Sequence, residues 1–141
     1  CHKKAHPTVD LGLVGEVAAV RVELLVRLLD AGMMPVVSPI SLGEDGQIYN
    51  VNADEAAGAI AAALPAETLD FVSNVPGVLA GGELLSNLSM DEAEALIADG
   101  TVSGGMIPKV RTALDALDRG VRRVRIVNLD GLGGGGGTVV S

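Results

Sequence analysis

The sequence predicts an α/β protein: a mainly parallel sheet with helices on both faces, giving three layers, α/β/α. Three observations carry that prediction. Strand-like runs alternate with helical patterns along the chain. Leu69–Ser73 and Val124–Val127 read as buried strands. The helical patterns carry their own start and stop residues, with a Ser-x-x-Glu opening at Ser89 and glycines at 32 and 120.

The elements follow in order. Residues 1–10 are polar and expected at the periphery. Leu11 to Val20 alternate loosely and are rich in Val and Gly, which reads as a strand with a glycine-permitted kink. Leu24, Leu25, Leu28 and Leu29 share one helical face, and Gly32 is a natural stop. Met34 to Ile40 reads as a short buried strand. Gly43-Glu44-Asp45-Gly46 is a turn from which Gln47-Ile48-Tyr49 returns as a hairpin arm. Asn52 or Asp54 caps a helix over Ala53–Leu64, whose Ala, Gly and Ile residues predict close packing. After the Leu69–Ser73 strand, Ser89-Met90-Asp91-Glu92 forms a capping box for a helix to about Ala98. Gly100–Gly105 is a loop, Met106–Arg119 a helix ended by Gly120, and Thr138–Val140 a last short strand. Gly133–Gly137 reads as a flexible turn into that strand. The lysine and Ser/Thr of a phosphate-binding P-loop are absent from it.

Composition narrows the function. The 141 residues suit one domain and can bury a core. A hydrophobic fraction of 48% excludes a disordered tail. No apolar run reaches the ~18 residues of a membrane span, so a soluble protein is expected. A net charge of −8 and only two aromatic residues, Tyr49 and Phe71, argue against nucleic-acid binding. The single cysteine, Cys1, can form neither an internal disulfide nor a Cys-based zinc site, which fits a reducing, cytoplasmic compartment. His2 and His6 have no metal-ligand cluster near them and read as surface residues. Arg119, Arg122, Arg123 and Arg125 read as a solvated face, with a phosphate or partner contact as the alternative.

In such sheets ligands bind at the carboxyl ends of strands, in the loops leading into helices, and three loops concentrate the chemistry there. Asn50-Val51-Asn52-Ala53-Asp54 puts two amides and a carboxylate at a helix start. The amides can read a small polar ligand and the carboxylate can orient a lysine or help hold Mg²⁺; plain helix capping is the alternative. Ser73-Asn74-Val75-Pro76-Gly77-Val78-Leu79 follows a buried strand, and its amides can meet phosphate or an adenine edge; a simple Pro-Gly turn is the alternative. In Thr101-Val102-Ser103-Gly104-Gly105-Met106-Ile107-Pro108-Lys109, two glycines lead into a helix whose first turn carries a lysine against the helix dipole. Such a lysine is either solvated or recruited to an anion.

Taken together, the segments Asp10–Glu16, Tyr49–Asp54, Asn74–Leu79 and Ser103–Lys109 resemble the acetylglutamate kinase family, within the amino-acid kinase fold. The resemblance covers Asp10 to Gly120. It implies ATP- and Mg²⁺-dependent phosphorylation of the γ-carboxylate of N-acetyl-L-glutamate, the second step of arginine biosynthesis, by direct in-line transfer. It implies Lys109 and Asp54 as catalytic residues, the first stabilising the transferring phosphoryl group and the second organising the catalytic lysines. Asn50 and Asn52 would bind acetylglutamate. Ser73, Asn74, Val75, Pro76, Gly77, Val78 and Leu79, with Thr101, Val102, Ser103, Gly105 and Met106, would line the ATP site. No protein-held metal site is expected. Residues 1–64 would be the remaining part of the acetylglutamate-binding lobe and 65–141 the ATP-binding lobe. Homodimers or higher homo-oligomers are implied, with no nucleic-acid or membrane partner.

The sequence departs from the family pattern in three places. The family's opening half, with a second catalytic lysine and a glycine-rich phosphate loop, has no counterpart in residues 1–10. The chain starts at Cys1 rather than Met, and the expectation is a piece of a longer kinase, inactive by itself. The helix usual between the Val124–Val127 strand and the closing Gly-Thr segment is replaced by the short, glycine-rich Asn128–Gly137. Asn74 stands where many relatives have Asp. The competing expectations are a kinase for another acyl-amino acid, such as a carrier-linked aminoadipate, and a non-catalytic nucleotide-binding or oligomerisation fragment.

Overall fold

Hydrogen-bonded strands find their partners inside one of two units, Cys1–Leu64 and Pro65–Ser141, in the computed structural model, which describes residues 1–141. The α/β class predicted from the sequence holds in both.

In the first unit the elements are β1 (His2–Lys3), β2 (Val14–Glu16), α1 (Val22–Asp30), β3 (Ile40–Leu42), β4 (Ile48–Val51) and α2 (Ala53–Ala63). The sheet order is β1-β2-β4-β3. Only β2 and β4 run parallel, with Val14 opposite Asn50 and Gly15 opposite Val51. The loose Leu11–Val20 run shortens to three paired residues, and the polar start contributes an edge strand, His2 opposite Glu16. Tyr49 explains two glycines. A Cβ on Gly15 would lie 2.7 Å from Tyr49 Cβ, and one on Gly43 would lie 2.6 Å from Tyr49 Cε2. The buried ring therefore needs bare backbone on either side, and its hydroxyl donates to Asp45 Oδ2 at 2.6 Å.

Helix α1 closes as its glycine predicts: Gly32 takes φ +72°, its N–H bonds Leu29 O, and the N–H of Met33 bonds Leu28 O. One expectation fails here. Met34–Ile40 is not a buried strand; Met34 is 85% and Val36 90% exposed, and pairing starts only at Ile40. Pro35 and Pro39 remove two backbone donors from that stretch, so no ladder can form along it. Helix α2 behaves as its composition requires: Asn52 accepts from the N–H groups of Asp54 and Glu55, and Gly58, Ala59 and Ala61 are buried.

In the second unit come β5 (Thr68–Val72), β6 (Leu79–Ala80), β7 (Glu83–Leu84), β8 (Asn87–Leu88), α3 (Met90–Ala98), α4 (Met106–Asp118), β9 (Arg123–Val127), α5 (Leu129–Leu132) and β10 (Thr138–Val140). The sheet order is β5-β9-β10-β8, with β5–β9 and β10–β8 parallel and β9–β10 antiparallel. Both four-stranded sheets are thus mixed: the second is mainly parallel, as expected, with two of its three pairings parallel, whereas the first has only one. For β9–β10 the reason is length: a parallel return needs a crossover of roughly a dozen residues or more, which 128–137 do not supply. Instead one helical turn, α5, precedes the glycine tract. The β6–β7 hairpin over Gly81-Gly82, both at positive φ, is a further element the sequence reading lacked. Helix α3 has both bonds of its capping box, and α4 packs on β9 and buries Val110, Ala113, Leu114 and Ala116.

Across β5 and β9, Arg125 donates to both carboxylate oxygens of Asp70 at 2.7 and 2.8 Å. These hydrogen bonds hold the Asp70 carboxyl below its ordinary range, against the opposing effect of burial. A lowered carboxyl stabilises the fold above the unfolded-state pKa and loses that contribution as pH falls through the folded-state value. Arg125→Met should therefore cost about 1–3 kcal/mol at neutral pH. The gap to the parent should narrow below about pH 4. Urea denaturation at several pH values checks this; a gap that widens in acid would contradict it.

Candidate functional site

Strands β5 and β9 run parallel, so their carboxyl ends lie together, and the Ser73 N–H extends the pairing to Val127 O at 2.7 Å. The loop Ser73–Leu79 leaves from this end. It is held from beneath by a residue the motif reading overlooked. Thr138, fully buried, accepts the Val78 N–H at 2.8 Å and donates its hydroxyl to Leu85 O at 2.6 Å. Val78 is itself fully buried and Gly77 is buried, while Asn74, Pro76 and Leu79 face outward. A Cβ on Gly77 would lie 2.6 Å from Thr138 Oγ1, so glycine is needed for the close approach. The signal for Thr138 was present in the sequence as a lone hydroxyl residue opening the apolar run Thr138-Val139-Val140.

The third loop runs into α4. Thr101 N–H bonds Asp99 Oδ1, and Val102 is anchored by its buried side chain and a bond to Leu96 O. Thr101, Ser103, Gly104 and Gly105 are exposed, and a Cβ at 104 or 105 would meet nothing within 4 Å. The start of α4 has no side-chain cap and no acidic residue in its first turn. Met106 and Lys109 are half-buried in that turn, and Lys109 Nζ lies 5.8 Å from the centre of the Phe71 ring on β5. The lysine thus reaches the strand from which the Ser73–Leu79 loop departs. Exposed glycine backbone, a helix start without a side-chain cap and an ammonium make this end receptive to an anion.

In the first unit, Asn50 is exposed on β4, with its N–H bonded to Leu13 O. Asn52 caps α2 through its side-chain oxygen. Asp54 is half-buried in the first turn of α2, where its negative charge suits the helix dipole. Glu55, next to Asp54, forms an ion pair with the distant Lys4 at 2.8 Å. The histidines are at the surface: His2 pairs with Glu16, and His6 Nδ1 accepts from the N–H groups of Thr8 and Val9. Of the arginine cluster, Arg125 turns inward to Asp70 and Arg119 pairs with Asp115. No group of three or more His, Cys, Asp or Glu side chains converges as a metal cage. No helix is long and apolar enough to cross a membrane.

Fold and site together define an α/β protein with an anion-receptive loop cluster at the carboxyl end of a parallel strand pair. Comparison with known proteins makes the class specific: residues 2–128 match the amino acid kinase family, and the chain belongs to that family. It is 59% identical over 139 residues to the acetylglutamate kinase of Roseiflexus sp. (strain RS-1), covering 99% of this chain and 53% of that one. To the acetylglutamate kinase of Roseiflexus castenholzii it is 62% identical over 130 residues, covering 92% and 50%. Among solved structures, an N-acetylglutamate synthase from Neisseria gonorrhoeae, complexed with coenzyme A and N-acetyl-glutamate, superposes with a TM-score of 0.89 at 26% identity, covering 97% of this chain and 34% of that one. The chain spans about half the length of the curated relatives it matches.

Removing the Thr138 hydroxyl should leave a buried N–H unsatisfied. Thr138→Val is expected to lower unfolding free energy by about 1–3 kcal/mol, and Thr138→Ser to recover most of it. Equal stability of the Val variant in chemical denaturation would show that the loop is held by other contacts.

Proposed function

We propose that this chain is part of an acetylglutamate kinase, which transfers the γ-phosphoryl group of MgATP directly to the γ-carboxylate of N-acetyl-L-glutamate, the second step of arginine biosynthesis. The observation that carries the reading is Lys109 in the first turn of the uncapped α4, in a chain 59% identical to an acetylglutamate kinase over nearly its whole length. Residues 65–141 act as the ATP-binding lobe and residues 1–64 as part of the acetylglutamate-binding lobe.

The chemistry asks two anions to approach, the acceptor carboxylate and the nucleotide, near a protein of net charge −8. Positioning and charge neutralisation are the main tasks in such a transfer. The Lys109 ammonium and the N-terminal end of α4 supply positive charge where negative charge builds up on the phosphoryl oxygens. Ser73–Leu79 lines the nucleotide from the β5 side, and Thr101, Val102, Ser103, Gly105 and Met106 from the α4 side. Asn50 binds acetylglutamate. Asn52 keeps its amide N–H groups for the same ligand while its oxygen caps α2. Asp54 orients the catalytic lysine charge. Mg²⁺ arrives with the nucleotide, since it is commonly held by phosphates and one or two carboxylates rather than a full protein cage. The enzyme works in the cytoplasm as a homo-oligomer, without nucleic-acid or membrane partners.

Coupled ADP release with N-acetyl-L-glutamate and MgATP tests the reading in the whole protein. Lys109→Ala should lower kcat by about 10²–10³-fold. Asp54→Asn should lower kcat with little change in the KM for ATP. The 141 residues alone should bind a non-hydrolysable ATP analogue by calorimetry, with loss of binding in Lys109→Ala, but should not turn over. Full activity of Lys109→Ala, or turnover confined to a different acyl-amino acid, would overturn the assignment.

A further inference from the structure

The ring beneath Lys109 is the lone aromatic side chain of the second unit. Phe71 is 3% exposed and is the last residue but one of the β5–β9 pairing, opposite the fully buried Ile126. Its sequence neighbour Asp70 is clamped by Arg125, which keeps β5 in register. On the other side, Lys109 is followed directly by Val110, which is fully buried under α4. Both partners of the 5.8 Å contact therefore sit on elements anchored in the core rather than on loops. At that distance a ring face attracts an ammonium through its quadrupole, and it takes neither proton nor net charge from it.

We propose that Phe71 is a positioning residue for phosphoryl transfer: its ring face holds the Lys109 ammonium over the end of β5, beside the start of the Ser73–Leu79 loop. This rests on the reading of Lys109 as the lysine that meets the transferring phosphoryl group. A lysine chain has four rotatable bonds, and a charge that must be in place at the transition state gains from a surface that limits them. Any large apolar residue would fill the core position. Only an aromatic one would also attract the ammonium.

Two variants and two measurements separate these roles. In Phe71→Leu the site stays apolar but loses the ring; in Phe71→Tyr the ring remains. In the whole enzyme, Phe71→Leu should lower kcat about 5–20-fold with the KM for ATP changed less than about twofold, and Phe71→Tyr should restore most of it. The second readout needs no activity. In proton–carbon NMR of the substrate-free protein, the Lys109 side-chain methylenes, assigned by their loss in Lys109→Arg, should be shifted upfield by the ring. The shift should persist in Phe71→Tyr and vanish in Phe71→Leu. Unshifted Lys109 methylenes in the parent protein overturn the contact even if Phe71→Leu fails to fold. A shift lost in Phe71→Leu with kcat unchanged overturns the positioning role. An active Lys109→Ala, by contrast, refutes the catalytic reading of the lysine while leaving the ring contact itself measurable.

Discussion

Strand β9 is the element on which the second unit depends. Five residue pairs join it to β5 in parallel, and three join it to β10 in antiparallel. Val124, Ile126 and Val127 are fully buried, so the strand has no freedom to slide. A one-residue slip would move each of these side chains to the opposite face and carry Arg125 away from Asp70. Because β9 is fixed, the end of β5 is fixed, and so is the departure point of the Ser73–Leu79 loop. Because β10 pairs on the other side, Thr138 comes opposite Ile126 and its hydroxyl reaches the Val78 N–H. One strand thus positions a loop from both ends.

The first unit solves a different problem with the same economy of residue types. Its sheet must pass closely over a tyrosine ring, and glycines at 15 and 43 permit it. Helix α2 follows β4 with only Asn52 between them, so the cap must come from that residue. Asn52 therefore has a structural duty whatever ligand it meets. Asp54, two residues on, lies where a carboxylate is favoured by the helix and also close in sequence to Asn50. The cap uses only the amide oxygen of Asn52, so capping is compatible with the ligand contact proposed above.

Much of the fold was legible because its signals are local. Asn52 caps α2, Ser89 and Glu92 form a capping box, and Gly32 and Gly120 end their helices with the 6→1 and 5→2 bonds expected of such glycines. The loops proposed to carry chemistry were legible for the same reason: their residues are contiguous. What went unread depends on distant partners. Met34–Ile40 is apolar enough for a strand, yet its two prolines and the lack of a pairing neighbour leave it exposed. The β6–β7 hairpin is only two residues on each side and too short for a periodic pattern. The role of Thr138 requires knowing that residue 78 lies beside residue 138.

By itself, the sequence determined the α/β class, the places where most helices start and stop, and the segments shared with the amino acid kinase family. Those features are written in residues within a few positions of one another, where capping, turn chemistry and side-chain period act directly. The tertiary structure alone decided that the sheets are mixed, that Arg125 turns inward to Asp70 instead of joining a solvated basic face, and that Lys109 stands over Phe71. Each of these is a meeting of residues well separated along the chain, made possible only once strand order and register have brought their elements together.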